Sequence, residues 1–403
     1  MLATFAKLGV RCFGGPAAHL GYFRAEIVER RRWIDEEAYA DLVGLCQFLP
    51  GPASSQAGFA LGLIRGGYLG GLAAWAGFTL PSAILLVAFA FGAGNLADSM
   101  AGAGLLHGLK LVAVAIVAQA VWSMARSFCP DRQRATVAVI ALTIALLAPP
   151  FLGQIGAIVL GGVAGLRFCL MPPDKAVGVP RQALAMPVSR RAGIGFLVLF
   201  AALLLLLPLL RGLGMGMAVF NAFYRSGALV FGGGHVILPL LRSAVVTPGW
   251  MPDTAFLAGY GAAQAVPGPL FAFAAYLGAT IRAPWGGQGL WSGQGPWGEL
   301  GGAIIALVAI FLPGILLLMG VLPFWSELRT RPQAQAALRG INAAVVGLLG
   351  AALYNPVWTS AILKPSDFAM AVAGFVLLVV WKAPPVLVVG LGALAGTGLG
   401  LIG

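Results

Sequence analysis

The chain has 403 residues, of which 60% are hydrophobic and only 38 are charged, 25 basic plus 13 acidic. Charged residues therefore make up 9% of the chain, against roughly 25% in soluble domains, which excludes a soluble globular protein. At about 20 apolar residues per crossing, the composition supplies about twelve membrane helices. The net charge of +12 does not indicate nucleic acid, because Lys and Arg are scattered between apolar runs without a long basic tract or interleaved aromatics.

In chain order, apolar runs at 4–24, 38–64, 68–94, 103–125, 135–150, 152–170, 192–210, 215–241, 255–281, 300–322, 337–354, 367–382 and 384–402 each have helical length. The expectation is an all-α polytopic membrane protein with about 13 transmembrane helices, 11 at the lower bound. No A-x-A-like cleavage site follows the first residues, so the first span itself is expected to direct insertion. The stretch Met171 to Arg191, rich in Pro and charge, reads as a central linker. It divides the chain into repeats at 1–171 and 192–403, with 172–191 between them. A second polar insert, Ala283 to Glu299, reads as an extramembrane loop. The four cysteines, Cys12, Cys46, Cys129 and Cys169, lie far apart beside apolar segments and form no CxxC or metal-type pattern, so no metal or other cofactor is expected. No G-x-x-x-x-G-K-[ST] occurs, so nothing supports ATP hydrolysis on this chain.

The two halves repeat each other. Phe13-Gly14-Gly15-Pro16 with His19 is matched by Phe231-Gly232-Gly233-Gly234 with His235, and Trp33 by Trp250. Gln47-Phe48-Leu49-Pro50-Gly51-Pro52 is matched by Gln264-Ala265-Val266-Pro267-Gly268-Pro269, an offset of 217 (264 minus 47). After the second insert, Leu80-Pro81 meets Leu312-Pro313 and His107-Gly108 meets Arg339-Gly340 at an offset of 232 (339 minus 107). If the copies start at spans one and eight, an odd number of crossings separates them and they lie upside down relative to each other, as in secondary transporters. Lys and Arg counts place 126–134, the linker and 323–336 in the cytoplasm, giving N-in and C-out. Arg24, Arg30, Arg31 and Arg32 object, because thirteen unbroken spans put them outside.

Pro-Gly-Pro inside an apolar run must break a helix, since each proline removes an N–H and clashes with the preceding turn. Within a bilayer, broken backbone survives where it is buried in protein or lines a polar cavity, and its half-helix ends provide ion sites. Two copies at equivalent depth suggest one central site, and the Gly-rich Phe-Gly-Gly segments leave amides that favour anions. The bland alternative is close helix packing at glycine plus a proline kink. The acids lie in the loop region from Glu26 to Asp41 and near span ends, with no carboxylate mid-helix, which disfavours a cation as cargo. Cations do lie within or near spans: Arg11, His19, His107, Lys110, His235 and Arg339. His107 and Arg339 occupy equivalent repeat positions, although snorkelling would explain them equally. His19 and His235 could bind an anion or carry a proton, or simply be satisfied in the packing. The candidate substrate-binding set is Gly14, Gly15, His19, Gln47, Pro50, Gly51, Pro52, Ser54, Gln56, His107, Gly232, Gly233, His235, Gln264, Pro267, Gly268, Pro269 and Arg339. Ser55 is a further polar neighbour of the first break.

The runs Phe13 to His19, Glu26 to Trp33, Leu45 to Gln56, Gly70-Gly71, Phe78 to Ser82 and Gln264 to Gly278 resemble the chromate ion transporter family. The resemblance covers both halves. It implies the long two-domain form, antiparallel homologous halves and chromate efflux across the bacterial inner membrane, conferring resistance, with sulfate as a competitor of the same tetrahedral dianionic shape. Cys12, where the family often has Ser, and Gly234, where the first copy has Pro16, depart from the pattern and leave the site geometry open. Export suits the charge: at about 100 mV, inside negative, a dianion leaving the cell gains roughly twice 2.3 kcal/mol. Proton exchange through a histidine is an open addition. The expected partners are the transported anion and the lipid bilayer; a homodimer is compatible with the sequence. A transporter of sulfate or another oxyanion is the alternative cargo reading. An enzyme is not expected, because mid-span Asp, Glu and His clusters are absent from the sequence.

Overall fold

The computed structural model describes residues 1–13, 15–97, 100–170, 188–231, 234–281 and 296–402. Those residues form helices and turns, and no strand occurs among them. Helix α1 (Leu2–Gly9) precedes the first Phe-Gly-Gly-Pro, and α2 (Gly15–Phe23) begins within it. The chain widens into a π-helical stretch at Arg24–Arg30 and turns into α3 (Glu36–Phe48), whose first turn is capped by Asp35 accepting from the Ala38 amide at 2.7 Å. Tyr39 OH donates to the Leu20 carbonyl at 2.6 Å, so α3 runs back alongside α2. After Pro50-Gly51-Pro52 comes α4 (Ala53–Ala97), which folds back on itself at Gly66 and Gly67, the latter with φ +62°. The two arms touch so closely that a Cβ on Gly62 would lie 2.3 Å from the Gly70 carbonyl oxygen.

Then follow α5 (Met100–Phe128), α6 (Arg132–Leu147), α7 (Pro150–Phe168) and α8 (Arg190–Leu210). The later part consists of α9 (Met215–Ala228), α10 (Ile237–Val245), α11 (Asp253–Ala265), α12 (Phe273–Thr280) and α13 (Pro296–Val321). It ends with α14 (Trp325–Leu328), α15 (Pro332–Ala352), α16 (Thr359–Ala361), α17 (Pro365–Val379) and α18 (Pro385–Ile402). Short 3-10 turns, Gly234–Val236 and Leu270–Ala272, lead into α10 and α12.

Among the described residues, thirteen uninterrupted spans do not appear. By length and composition, five helices among the described residues can cross a bilayer: Ala53–Gly92, Met100–Phe128, Arg190–Leu213, Gly298–Leu328 and Pro332–Ala361, the first being the folded hairpin α4. Hydropathy counts apolar residues but not breaks. The runs 4–24, 38–64, 215–241 and 255–281 each divide at a Gly- or Pro-rich segment into two shorter helices. The outer face of α8 carries exposed Ile194, Val198, Leu199, Leu205, Leu206 and Leu209. Such a continuous apolar surface requires lipid, and the chain is a multi-pass membrane protein.

Segments matched in the sequence form helices of matched length. Helices α3 and α11 each have 13 residues and start 217 apart (253 minus 36). The central helix α5 packs against α17 and α18, while α15 packs against α6 and α7. Glycine makes both seams: a Cβ on Gly108 would lie 2.1 Å from the Gly392 carbonyl, and one on Gly340 would lie 2.0 Å from the Gly161 carbonyl. Each part thus lends its terminal helix pair to the central helix of the other. Arg31 and Arg65 both stack on Trp33, at 5.2 and 5.9 Å from the ring centre. Arg190 pairs with Glu327, and Arg329 with Asp41. These contacts bring the α2–α3 turn, the α4 tip, the start of α8 and the turn before α15 to one end of the bundle. Arg24, Arg30, Arg31 and Arg32 therefore share an end with 323–336. The chain breaks and reverses at Pro50-Gly51-Pro52, so counting 38–64 as a full crossing misplaced them.

Candidate functional site

The two Pro-Gly-Pro breaks meet the other half of the chain at the centre. The Gly51 amide donates to the Val230 carbonyl at 2.7 Å, and the Gly268 amide donates to the Cys12 carbonyl at 2.8 Å. Val230 and Cys12 immediately precede the two Phe-Gly-Gly segments, so each break is stitched to the glycine segment of the other half. Both glycines have positive φ, +121° and +104°, in a region closed to side chains. There is no room either. A Cβ on Gly51 would approach the Gly314 Cα to 3.1 Å, and one on Gly268 would approach Ser82 Oγ to 2.8 Å. Gln56 Nε2 donates to the carbonyls of Pro50 and Gly314, both at 3.0 Å, which satisfies an acceptor that the interrupted helix leaves over.

These segments wall a cavity of about 1040 Å³, large compared with a tetrahedral oxyanion. Gly15 and Ala53, the first residues of α2 and α4, line it together with Gly51 and Gly268. Amides in the first turn of a helix have no carbonyl partner within it and carry a partial positive charge. His19 and His235 also line it. His19 Nδ1 lies 3.3 Å from Ser54 Oγ, and its ring sits edge-on to Phe78; His235 Nδ1 lies 2.8 Å from Tyr260 OH. Helix α5 contributes Gln119, Ser123 and Ser127, and α15 contributes Gln335 and Asn342. The stripe from Ile116 to Phe128 runs about 18 Å along α5 at 1.5 Å per residue. At the arginine-rich end, Arg329 Nη1 and Trp325 Nε1 both donate to Asp41 Oδ1, at 2.6 and 3.0 Å.

Of the residues expected at the site, Gly15, His19, Gln47, Gly51, His235, Gln264 and Gly268 line this one cavity. Pro50, Pro52, Pro267 and Pro269 frame the breaks, and Ser54 and Gln56 stand directly behind the wall. Gly14, Gly232 and Gly233 lie outside the described residues. His107 and Arg339 are not brought together and do not line the cavity. His107 Nε2 lies 3.0 Å from Asp367 Oδ1, which ties α5 to the start of α17. Arg339 Nη1 donates to the Cys169 carbonyl at 3.0 Å, which ties α15 to the end of α7. Each side chain thus ties its helix to a helix of the other half.

Two carboxylates are buried, of which Asp41 departs from the charge reading, being inside a helix, while Asp367 lies near a helix end as expected. Asp41 lies within α3 and Asp367 in the first turn of α17, each with a cationic or imidazole partner. Sequence reasoning placed Asp41 among loop acids and passed over Arg329 and Trp325, which no repeat motif marks. The polar stripe on α5 was open to detection: Gln119, Ser123 and Ser127 recur every four residues in an otherwise apolar run.

A multi-pass helical membrane protein whose Pro- and Gly-broken helices wall a cavity carrying polar side chains and helix-end amides has the build of a membrane transporter. The chain belongs to the chromate transporter family, whose family model, described as "Chromate transporter", matches residues 1–166 and 217–397. It is 28% identical over 392 residues to a chromate transport protein of Pseudomonas aeruginosa, covering 95% of this chain and 87% of the relative. It is also 26% identical to a probable chromate transport protein of Synechococcus elongatus, covering 87% of this chain and 82% of that protein. A chromate transport protein of Cupriavidus metallidurans is 25% identical, with 88% and 81% covered. No solved structure matches the chain.

Proposed function

We propose that this protein is a secondary transporter that exports chromate across the cytoplasmic membrane and so confers resistance to it. The observation that carries the reading is a cavity built jointly by both broken-helix segments and lined by polar side chains among apolar ones, with the amide of each central glycine bonded to the opposite half. The repeats, 1–171 and 192–403 with the linker 172–191, are of inverted topology, and the crosswise packing of α5 and α15 supports this. The arginine-rich end faces the cytoplasm by the positive-inside rule. In a bacterium that membrane is the inner one. Chromate enters from that end and is held by first-turn amides of α2 and α4 and by Gly15, His19, Gln47, Gly51, His235, Gln264 and Gly268. It leaves when one half rocks against the other.

Membrane potential supplies the drive, since expelling a dianion at about 100 mV releases roughly twice 2.3 kcal/mol; proton exchange through His19 or His235 is an addition to it. The second reading, a carrier of sulfate or another tetrahedral oxyanion, uses the same cavity, because amides recognise shape and charge rather than the central atom. Uptake of radiolabelled chromate, sulfate and molybdate into everted vesicles separates the two. Chromate accumulation above control vesicles supports export, and sulfate accumulation without chromate would replace it with the second reading.

A further inference from the structure

At the arginine-rich end, Asp41 of α3 meets Trp325 of α14 and Arg329 just after it, a contact that joins the two halves. Among the described residues lining the cavity, Arg329 is the one Arg or Lys and Asp41 the one carboxylate. Their side chains are 13% and 7% exposed, so both charges are largely withdrawn from water. Two further contacts hold the group. Trp325 packs on Phe48, with ring centres 5.5 Å apart, and the Arg329 carbonyl accepts from Gln335 Nε2 at 2.7 Å. The repeat does not reproduce it: Asp41 corresponds to Ala258 (41 plus 217) and Arg329 to Ala97 (329 minus 232). A feature built only once, on the end that carries the basic turns, serves one mouth of the cavity rather than the general fold.

A carboxylate oxygen that accepts from a guanidinium and an indole N–H occupies the position an oxyanion would take on the same donors. We infer that Asp41 is a built-in anion that competes with the transported oxyanion for Arg329 and Trp325, and so sets both release and selectivity for dianions. This deepens the proposed function and rests on it. A monovalent anion replacing the Asp41 carboxylate exchanges one negative charge for another and gains little. A dianion brings a second charge, which can face the helix-end amides and histidines farther in while the first takes the Arg329 and Trp325 donors. The freed Asp41 carboxylate then repels the bound anion, so binding does not become a trap. Selectivity thus comes from a repulsive element as well as an attractive one.

The test uses purified full-length protein in detergent and in proteoliposomes, with chromate, sulfate and nitrate as probes at mildly alkaline pH, where chromate is a dianion. Asp41→Asn should bind chromate at least about tenfold more tightly, turn over more slowly and begin to bind nitrate, because the competitor's charge is gone while Arg329 remains. Arg329→Gln should bind chromate at least about tenfold more weakly, the weight of one charge-assisted hydrogen bond. Trp325→Phe keeps the packing on Phe48 and removes only the N–H; it should shift affinity in the same direction as Arg329→Gln by a smaller factor, which guards against a variant that merely misfolds. Unchanged chromate affinity and unchanged nitrate exclusion in Asp41→Asn would overturn the inference alone. So would a loss of affinity in that variant matching Arg329→Gln, since Asp41 would then be scaffolding. Wild-type protein that is monodisperse yet neither binds nor moves chromate or sulfate would overturn the functional reading, and this inference with it.

Discussion

Replacing Gly268 by alanine probes the centre of the molecule with a single methyl group. The residue sits at φ +104°, where a side chain costs about 1–3 kcal/mol in backbone strain. The added Cβ would also lie 2.8 Å from Ser82 Oγ, 3.2 Å from Ser82 Cβ and 3.3 Å from the Gly9 carbonyl oxygen, and forcing such a contact in packed surroundings costs about 1–3 kcal/mol more. The sum, about 2–6 kcal/mol, is a large part of what holds an ordinary folded domain together. Gly51→Ala faces the same backbone region at φ +121° and the Gly314 backbone at 3.1 Å, so its effect should be similar in kind. Relaxation that avoids the clash must move the Gly268 amide off the Cys12 carbonyl and reshape the cavity wall, so transport should fall even where the variant still folds. Unfolding by sodium dodecyl sulfate in mixed micelles, followed by tryptophan fluorescence, measures stability, and vesicle chromate flux measures function. Gly390→Ala is the control, because nothing lies within 4 Å of its Cβ position. A Gly268→Ala protein with the wild-type unfolding midpoint and wild-type flux would refute the reading that both breaks must keep this geometry.

Gly340→Val should separate α15 from α7, since even a Cβ there meets the Gly161 carbonyl oxygen at 2.0 Å; loss of monodisperse protein on size-exclusion chromatography checks it. Arg339→Ala should lower stability by about 1–3 kcal/mol, the range for losing a charged partner to a carbonyl, while leaving the KM for chromate unchanged, because its partners are Cys169 and Gln335; a raised KM with intact stability would return Arg339 to the site. Asp131 caps α6 by accepting from the Arg134 amide at 2.9 Å, and Asp131→Ala should cost about 0.5–2 kcal/mol in thermal unfolding. The Arg134 amide and guanidinium hold the Asp131 carboxyl below its ordinary value. A depressed folded-state pKa stabilises above the ordinary carboxylate range and loses that stabilisation as pH falls through the depressed value. The difference between wild type and Asp131→Ala should therefore be full at neutral pH and shrink only in acid.

Much of the site was legible because its chemistry is written in backbone terms. Pro50-Gly51-Pro52 and Pro267-Gly268-Pro269 announce a break in any context, and their repetition at matched spacing implies that both breaks lie at one depth. His19, His235, Gln47 and Gln264 came with those motifs and do line the cavity. The span count was less legible, since hydropathy measures composition over a window and is insensitive to a chain that enters halfway and turns back, as 38–64 does at Pro50-Gly51-Pro52. That same blindness produced the apparent conflict of Arg24 to Arg32 with the other basic turns. His107 and Arg339 were marked by their matched repeat positions, but spacing in the sequence does not say what a side chain touches, and each contacts a helix of the other half, at Asp367 and Cys169, away from the cavity lining. The Asp41, Trp325 and Arg329 cluster was invisible for the opposite reason, since it joins residues 288 apart (329 minus 41) without a repeat partner.

The central claim is electrogenic export of an oxyanion through the cavity shared by the two halves, and chromate flux in proteoliposomes under an imposed potassium diffusion potential tests it most directly. With protein oriented either way, a potential positive at the destination should accelerate chromate movement, and Gly51→Ala or Gly268→Ala should abolish the accelerated component. Folded wild-type protein that moves no chromate, or moves it at a rate indifferent to the imposed potential, would contradict that claim.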